Sequence, residues 1–381
     1  MIKIVDKFKC CGCYGCSTIC PKQCIKFRID EEGFWYPVCR EEECINCGLC
    51  EKVCPILSKK GMIEKKLPIA YAAISKDFDT RIMSSSGGIF SVLAEYVLEQ
   101  GGIVFGAALN EKLKVEHIKV EKLKDLYRLR GSKYVQSKLG DTYRQVKKYL
   151  TDGELVLFTG TPCQVVGLKR YLMKEYDNLI CQDIICHGVP SPMVWKQYIK
   201  WQEKYNNKKI KKVNFRNKSF GWKDFGLSVE FEDGSIKLKK HYKDLFMQAF
   251  LKNYCLRPSC YQCNFKTINR EADITLADLW GSSNFNLSLD EENGISLVIV
   301  HSLKGEEVLK KVLNRLQLQK IDIKESIKYN SAMVHSADKP ENRVDFMKDI
   351  IGLNFDVVIN KYCKVSVVKK IKKRLLGALH R

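Results

Sequence analysis

Apolar and polar residues alternate differently in successive parts of the chain. Residues 1–56 show little periodicity. From residue 68 to about residue 302, short apolar runs of strand type alternate with stretches in which apolar residues recur every three or four positions, as on one face of a helix. This alternation predicts an α/β domain. Between residues 211 and 240, three strand-like segments follow one another, which predicts a β-rich lobe within that domain.

Two further stretches lie outside this pattern. Residues 57–67 (LSKKGMIEKKL) are charged and contain a glycine, which is typical of a linker. Residues 336–381 are predicted to be a C-terminal basic helical tail, and its last twenty or so residues are amphipathic. Most such tails are solvated helix ends, and peripheral contact with a membrane surface or a partner is the alternative.

Composition narrows the class of protein. No run reaches the ~18 consecutive apolar residues of a membrane span. The N-terminus lacks an apolar segment followed by a small-residue cleavage site, so we predict a cytoplasmic protein. The formal charge of +21 favours anionic partners: nucleic acid, acidic lipid, an acidic electron carrier or a phosphorylated cofactor. Because no nucleic-acid-binding fold motif is present, we do not expect a nucleic acid partner.

The 18 cysteines change the picture most, because reducing compartments do not maintain structural disulfides. The spacing C-x2-C-x2-C-x3-C-P occurs twice, and it is typical of bacterial-type ferredoxins with two 4Fe-4S clusters. In that arrangement the fourth cysteine of each run ligates the other cluster. The predicted ligands are Cys10, Cys13, Cys16 and Cys54 for one cluster, and Cys44, Cys47, Cys50 and Cys20 for the other.

A pair of zinc knuckles is the alternative for these two runs. Structural zinc needs only two close pairs of cysteines, so the third cysteine of each run and the cysteine before proline disfavour it. Cys11, Cys24 and Cys39 fall outside the repeated spacing, and we interpret them as buried small residues or spare thiols.

Three turns of the α/β part place polar or thiol groups where a helix begins. One is the SSSGG segment of residues 84–88, whose hydroxyls and backbone N–H groups are able to hold a phosphate or simply cap a helix. In the second, Thr161 is the candidate N-cap and Pro162 the first helical residue, so the helix dipole would lower the pKa of the Cys163 thiol. The third runs from Cys186 to a helix opened by Ser191-Pro192.

Such turns converge on the ligand crevice at the carboxyl ends of the strands in open α/β sheets. His187 is therefore a candidate proton or hydrogen-bond donor there, although a lone histidine is usually structural. Cys255, Cys260 and Cys263 have the spacing C-x4-C-x2-C, which indicates a third 4Fe-4S cluster with Cys163 or Cys186 as fourth ligand. A zinc site or unligated cysteines are the alternatives. No G-x-G-x-x-G after a strand and no P-loop occur in the sequence.

Several long motifs resemble those of the family formed by the β subunits of coenzyme F420 hydrogenases and dehydrogenases. They are SSSGG, GSKYVQS (131–137), GTPCQ (160–164), ICHGVPSP (185–192), FRNKSFGW (215–222) and DITLADLWG (273–281). The resemblance implies family regions at residues 68–150 (N-terminal) and 151–335 (C-terminal), after a ferredoxin domain at residues 1–58. The overall prediction is an α+β ferredoxin-like two-cluster module followed by an α/β domain with a β-rich lobe.

The resemblance also implies an enzyme with FAD, which would pair electrons from the clusters and pass a hydride to or from coenzyme F420 or another acceptor, including a polysaccharide-related one. A ferredoxin or another redox protein would be the partner. Lys133 and His187 are the catalytic candidates. The residues implied to line the flavin and substrate crevice are Ser85, Ser86, Gly87, Gly88, Ser132, Lys133, Tyr134, Gly160, Thr161, Pro162, Gln164, His187 and Gly188.

The sequence is also compatible with two other functions. The chain would be a non-catalytic electron relay if a partner held the flavin and the hydride chemistry. It would be a nucleic-acid-binding protein if its basic surface bound DNA with a steep dependence on salt.

Overall fold

A computed structural model describes residues 1–58 and 67–364 of the chain. Most of the predicted linker and the end of the predicted tail, residues 365–381, lie outside these ranges. The strands are β1 Ile25–Ile29, β2 Trp35–Cys39, β3 Ile69–Ser75, β4 Ile103–Leu109, β5 Val115–Val120, β6 Val156–Gly160, β7 Leu179–Ile184, β8 Ile210–Asn217, β9 Gly226–Phe231, β10 Ile236–Lys240, β11 Ile274–Asp278, β12 Ser296–Val300 and β13 Leu316–Ile321. The α-helices are α1 Gly15–Ile19, α2 Leu49–Lys52, α3 Phe78–Met83, α4 Ile89–Glu99, α5 Thr142–Thr151, α6 Pro162–Leu172, α7 Pro192–Asn206, α8 Leu245–Leu251, α9 Leu303–Lys311, α10 Ile323–Tyr329, α11 Arg343–Gly352 and α12 Phe355–Cys363.

Eight strands form one mixed sheet in the order β13-β3-β12-β11-β7-β6-β4-β5. The neighbours β11, β7, β6 and β4 are parallel, whereas the outer pairs are antiparallel. Strand β12 is buried along its whole length, as its apolar sequence SLVIV requires for a strand covered on both faces. The structure thus has the predicted α/β architecture with a large mixed sheet.

Helices cover both faces of this sheet because side chains alternate along its strands. In β6, Leu157 packs with α4 on one face, whereas Val156 and Phe158 pack with α5 and α6 on the other. The carboxyl ends of the parallel strands all lie at one edge. Strand β3 runs in the same direction, since it is antiparallel to β12 and β12 is antiparallel to β11. The SSSGG segment that follows α3 therefore lies at the same edge.

Strands β8, β9 and β10 form a separate three-stranded antiparallel sheet at the position of the predicted β-rich lobe. It packs with α7, α8, α11 and α12 around an aromatic core. Phe346 and Phe355, from α11 and α12, are buried in that core. Residues 336–364 therefore contribute to this core. The basic amphipathic stretch that we predict for the last twenty or so residues lies almost entirely outside the described residues.

The N-terminal module consists of α1, the β1–β2 ribbon and α2, and it packs directly on the α/β part. Gly15 in α1 and Gly167 in α6 make this approach possible: a Cβ added to Gly167 would lie 2.7 Å from the Cβ of Cys13. Within the residues described, no helix is long and apolar enough to cross a membrane.

Replacing Gly167 by alanine is expected to destabilise the protein by about 1–3 kcal/mol, because the new methyl group overlaps Cys13 in a packed contact. The matched control is Gly352→Ala, where a Cβ meets nothing within 4 Å. The midpoints of urea-induced unfolding of the two variants measure the difference. Equal midpoints would show that close packing of the N-terminal module on α6 at Gly167 does not stabilise the protein.

Candidate metal centres and the adjoining crevice

Four cysteines of the N-terminal module form the first thiol group: Cys10, Cys13, Cys16 and Cys54. All four are buried, and burial together with the neighbouring Cys13, Cys10 and Cys54 raises the pKa of the Cys16 thiol. The structure thus brings together one of the two predicted crosswise ligand sets, because α1 and α2 pack against each other.

Arg257 supplies a positive charge beside the first thiol group. Its side chain is 0% exposed and donates hydrogen bonds to the carbonyl oxygen of Cys10 at 2.7 Å and to that residue's Sγ at 3.5 Å. It also donates to the carbonyl oxygen of Trp35 and the side chain of Gln136. The guanidinium is 4.2 Å from the ring centroid of Tyr36. Arg257 therefore joins the module to the α/β part.

The second predicted ligand set, Cys20, Cys44, Cys47 and Cys50, forms the second thiol group. It lines a cavity of about 360 Å³, and Cys24 and Cys39 line the same cavity. Cys47 is exposed, so this group lies at the surface of the module. The sequence indicated only that Cys24 and Cys39 are buried small residues or spare thiols outside the repeated spacing. The spacing alone could not show that both thiols line this cavity.

A third thiol group consists of Cys163, Cys186, Cys260 and Cys263. These residues line a cavity of about 570 Å³ at the carboxyl edge of the large sheet, together with Lys266 and Arg270. Cys260 packs closely against the backbone of residues 188–189. Gly188 has no side chain to block it, and the Val189 N–H donates to the Cys260 Sγ at 3.4 Å. The two alternatives for a fourth ligand, Cys163 and Cys186, are both present in the cavity.

Cys255 does not belong to the third thiol group, although it was predicted to be a ligand. Its side chain is fully buried in the aromatic core around α7, α8 and α12. Its carbonyl oxygen accepts a hydrogen bond from Ser191 N, so its backbone pairs with the Cys186 turn while its thiol points into the core. Cys186 takes the place that the C-x4-C-x2-C spacing assigned to Cys255.

Cys11 lies between the first and third thiol groups, a role that the repeated spacing did not predict. Its thiol is hydrogen-bonded to the thiols of Cys13 and Cys163, and it lines the third group's cavity. These hydrogen bonds and burial raise the pKa of Cys11. The adjacent Cys10 faces the opposite way, towards Arg257. The Cys10-Cys11 pair was the available signal, since neighbouring side chains in extended backbone point to opposite sides.

Thr161 is the N-cap of α6 and Pro162 is its first residue, as predicted, and a capping box with Gln164 fixes the first turn. The side chain of Gln164 accepts from the Thr161 N–H at 2.9 Å and donates to the hydroxyl of Ser137. Hydrogen bonds from Cys11 and Thr161 outweigh burial and lower the pKa of Cys163 to about 7. The predicted crevice residues Gly160, Thr161, Pro162 and Gln164 thus position the Cys163 thiolate.

His187 lines the third group's cavity and is held by a contact of 2.6 Å between its Nε2 and the Asn253 side-chain oxygen. Burial lowers its pKa. Lys133 lies elsewhere: its ammonium donates to the carbonyl oxygens of Arg128, Leu129 and Arg130, the end of a short 3-10 helix. Burial lowers the pKa of Lys133 to about 7. The structure does not bring these two predicted catalytic residues into contact.

The SSSGG turn meets the GSKY segment through Ser85 and Ser132. The backbone N–H of Ser132 donates to the Ser85 hydroxyl at 2.9 Å, and the two hydroxyls are also 2.9 Å apart. Gly87 admits the backbone of β3, since an added Cβ would lie 2.5 Å from the carbonyl oxygen of Ala73. Gly88, with φ +91°, is the N-cap of α4. Ser86 donates to the Ile295 carbonyl oxygen.

Cationic and aromatic groups surround the SSSGG turn. The ammonium of Lys218 donates to three carbonyl oxygens, including that of Ser86, and burial lowers its pKa to about 8. Beside it, Arg216 forms an ion pair of 2.8 Å with Asp278 and contacts the Tyr134 hydroxyl at 3.5 Å. The Nε atoms of Arg216 and Arg81 are buried without a hydrogen-bond partner. Trp222 and Trp280 stack nearby, with ring centroids 5.3 Å apart.

The SSSGG turn is thus surrounded by Lys218, by the ion-paired Arg216 and Arg81, and by the stacked Trp222 and Trp280. Lys133 and Lys218 are both bonded to carbonyl oxygens rather than to carboxylates. Both ammonium groups add positive charge beside the turn, and an indole offers a face on which a planar ring can stack.

Models of protein families match most of the chain. The model described as the N-terminal part of the coenzyme F420 hydrogenase/dehydrogenase beta subunit matches residues 70–142. The corresponding C-terminal model matches residues 153–326, which contain the whole third thiol group. A 4Fe-4S binding domain model matches residues 40–57, the second cysteine run.

The chain is also similar to individual proteins. A subunit of the F420H2 dehydrogenase of Methanosarcina mazei is 23% identical over 310 residues, which cover 74% of this chain and 79% of that protein. A ferredoxin of Methanocaldococcus jannaschii is 42% identical over 52 residues, 14% of this chain and 66% of that protein. A chain of the F420-reducing NiFe hydrogenase complex of Methanosarcina barkeri superposes with a TM-score of 0.47 and 18% identity, covering 71% of this chain and 93% of that one.

Proposed function

Because the chain belongs to the family of coenzyme F420 hydrogenase/dehydrogenase beta subunits, we propose that it is a flavin-dependent oxidoreductase fed by three 4Fe-4S clusters. One observation carries the proposal: the three thiol groups form a row that leads from the surface to the carboxyl edge of the large sheet. The exposed Cys47 marks its outer end. Cys11 joins its two inner members through Cys13 and Cys163.

The donor chemistry of each thiol group fits a cluster. Each has four thiols, which is the ligand set of a 4Fe-4S cluster. Positive groups offset the charge that four thiolates bring: Arg257 beside Cys10, and Lys266 and Arg270 in the third cavity. In our proposal, the second thiol group receives electrons from a redox partner such as a ferredoxin, and the first and third groups conduct them inward.

The crevice around the SSSGG turn is proposed to bind FAD. A bound flavin supplies the conversion between single electrons and a hydride. In this arrangement Lys218 and Arg216 neutralise the phosphates, and Ser85, Ser132 and Tyr134 orient the ligand. Gly87 packs against β3 and Gly88 caps α4, which fixes the turn beside the ligand, and Trp280 provides a stacking surface.

His187 and Lys133 have different proposed roles. His187 lies beside the third thiol group and is poised to donate a hydrogen bond where that cavity meets the crevice. Lys133 holds the 128–130 carbonyl oxygens, and we propose that it positions the GSKY segment while adding positive charge. The relative from Methanosarcina mazei is named for F420H2, so the deazaflavin is the first candidate acceptor or donor. A polysaccharide-related acceptor is the second.

Anaerobic purification followed by analysis of iron, sulfide and flavin tests this function. We expect ~12 irons per chain with bound FAD, and reduction of coenzyme F420 with dithionite or reduced ferredoxin as donor. About 12 irons without flavin would instead indicate an electron-relay subunit. Iron near zero with stoichiometric zinc would contradict the proposal altogether.

Replacing Lys218 by methionine is expected to weaken FAD binding by about tenfold, because it removes a positive charge beside the proposed phosphate site. It also removes the donor that holds the carbonyl oxygens of Arg81, Ser86 and Asn293 together at the turn. Lys223→Met is the matched control, because Lys223 is exposed at the surface. The FAD content after equilibrium dialysis reports the difference. Equal FAD content in the two variants would place the flavin elsewhere.

A further inference from the structure

The cavity of the second thiol group contains more sulfur ligands than one cluster uses. Cys24 and Cys39 line it together with the four proposed cluster ligands. The Sγ atoms of Cys20 and Cys24 are 3.4 Å apart, and those of Cys24 and Cys39 are 3.7 Å apart. The sulfurs of Cys24, Cys39 and Cys44 all lie within 4.8 Å of one another.

The backbone holds the thiols of Cys24, Cys39 and Cys44 together and places Cys20 beside Cys24. The carbonyl oxygen of Cys24 accepts from Arg40 N at 2.9 Å, and Cys39 pairs with Ile25, so the end of the β1–β2 ribbon places the two additional cysteines side by side. Cys20 follows α1, and Cys44 ends the 3-10 turn of residues 41–43. Cys24, Cys39 and Cys44 thus converge on one point from separate backbone positions, and Cys20 adjoins this point through its contact with Cys24.

The spacing of the sulfurs distinguishes a single ion from a cluster. A tetrahedral zinc ion with Zn–S bonds of ~2.3 Å has sulfur atoms ~3.8 Å apart, which is close to the distances around Cys24. In a 4Fe-4S cluster each thiolate binds a different iron, so the thiolates stand farther apart. Cys50 lies outside the tight set, and its Sγ accepts from the N–H of Ile2 at 3.3 Å.

We propose that Cys20, Cys24, Cys39 and Cys44 form a mononuclear tetrathiolate site for a divalent ion of the zinc type. The site shares Cys20 and Cys44 with the proposed second cluster, so the two occupants exclude each other. Binding releases the protons of the four thiols and leaves a dianionic complex. A chain loaded in this way has no cluster at the point where electrons enter. The mutual exclusion depends on the proposed second cluster. The existence of the four-thiol site does not depend on that cluster.

The test compares two full-length chains from which iron has been removed anaerobically, with Co²⁺ as the spectroscopic probe. In Cys47→Ala/Cys50→Ala the cluster ligands are incomplete and the four proposed thiols are intact. The second chain adds Cys24→Ala/Cys39→Ala. We expect the first chain to bind one more Co²⁺ than the second, with the ligand-field bands of a tetrahedral thiolate complex, and Zn²⁺ to displace it. Equal Co²⁺ stoichiometry in the two chains would overturn the site.

Iron reconstitution of the same chains keeps the two proposals apart. Both chains are expected to recover about eight irons in the first and third thiol groups, which also shows that they fold. The variant Cys24→Ala/Cys39→Ala alone is expected to recover about 12. If Cys47→Ala/Cys50→Ala also recovered 12, the second cluster would be assigned wrongly, whereas the Co²⁺ comparison would still decide the mononuclear site.

Discussion

Replacing Cys260 by alanine is expected to remove about four irons per chain, because the third thiol group would lose one of its four ligands. Cys260 lines the third cavity and is held by the Val189 N–H. Transfer of electrons from dithionite-reduced clusters to the flavin is expected to fall by at least a hundredfold, since the row is interrupted at its inner end. Iron analysis and stopped-flow absorbance of the flavin measure the two effects.

The matched control is Cys255→Ala, which removes a thiol from the same C-x4-C-x2-C motif. Cys255 faces the aromatic core, so this variant is expected to keep its full iron content and lose only packing energy. Loss of iron from Cys255→Ala, with full iron in Cys260→Ala, would reverse the ligand assignment.

Replacing Arg257 by methionine is expected to destabilise the protein by about 3–5 kcal/mol. The change leaves the carbonyl oxygens of Cys10 and Trp35 buried without their donor, in the contact between the module and the α/β part. It also removes the positive charge next to the first thiol group, so the reduction potential of that cluster is expected to fall. Urea-induced unfolding and an EPR-monitored redox titration give the two quantities.

Arg257→Lys separates the two effects. The ammonium preserves the charge, but it lacks the planar fork that reaches Cys10, Trp35 and Gln136 together. We expect it to keep most of the potential and to lose much of the stability. An unchanged potential in Arg257→Met would mean that the guanidinium serves only to join the two parts.

The sequence predicted those features that depend on local spacing. Thr161 and Pro162 open α6 as their order requires, because an N-cap and a proline act on the backbone beside them. The crosswise pairing of Cys54 with the first cysteine run depends on a known spacing, and the structure brings those four thiols together. The α/β architecture follows from the alternation of apolar strands and helices, whereas the antiparallel pairing of the outer strands was not predicted.

Features that depend on the direction of a side chain could not be predicted from sequence spacing. Cys255 has the spacing of a ligand, but the backbone turns its thiol into the core. Cys11 was set aside because it lies outside the repeated spacing, although it contacts two thiol groups. Lys133 looked like a flavin partner because a sequence does not reveal whether an ammonium meets a ligand or nearby carbonyl oxygens.

The position of β3 in the large sheet governs the order in which the protein can be completed. This strand lies between β12 and β13, two of the last strands of the chain. A ribosome must therefore synthesise residues 76–295 after this strand before the strand gains either neighbour. The eight cysteines of the two N-terminal runs all emerge within the first 54 residues. Metal can thus be delivered to these cysteines well before the inner cavity exists, so the chain's maturation can begin at the end where electrons would enter.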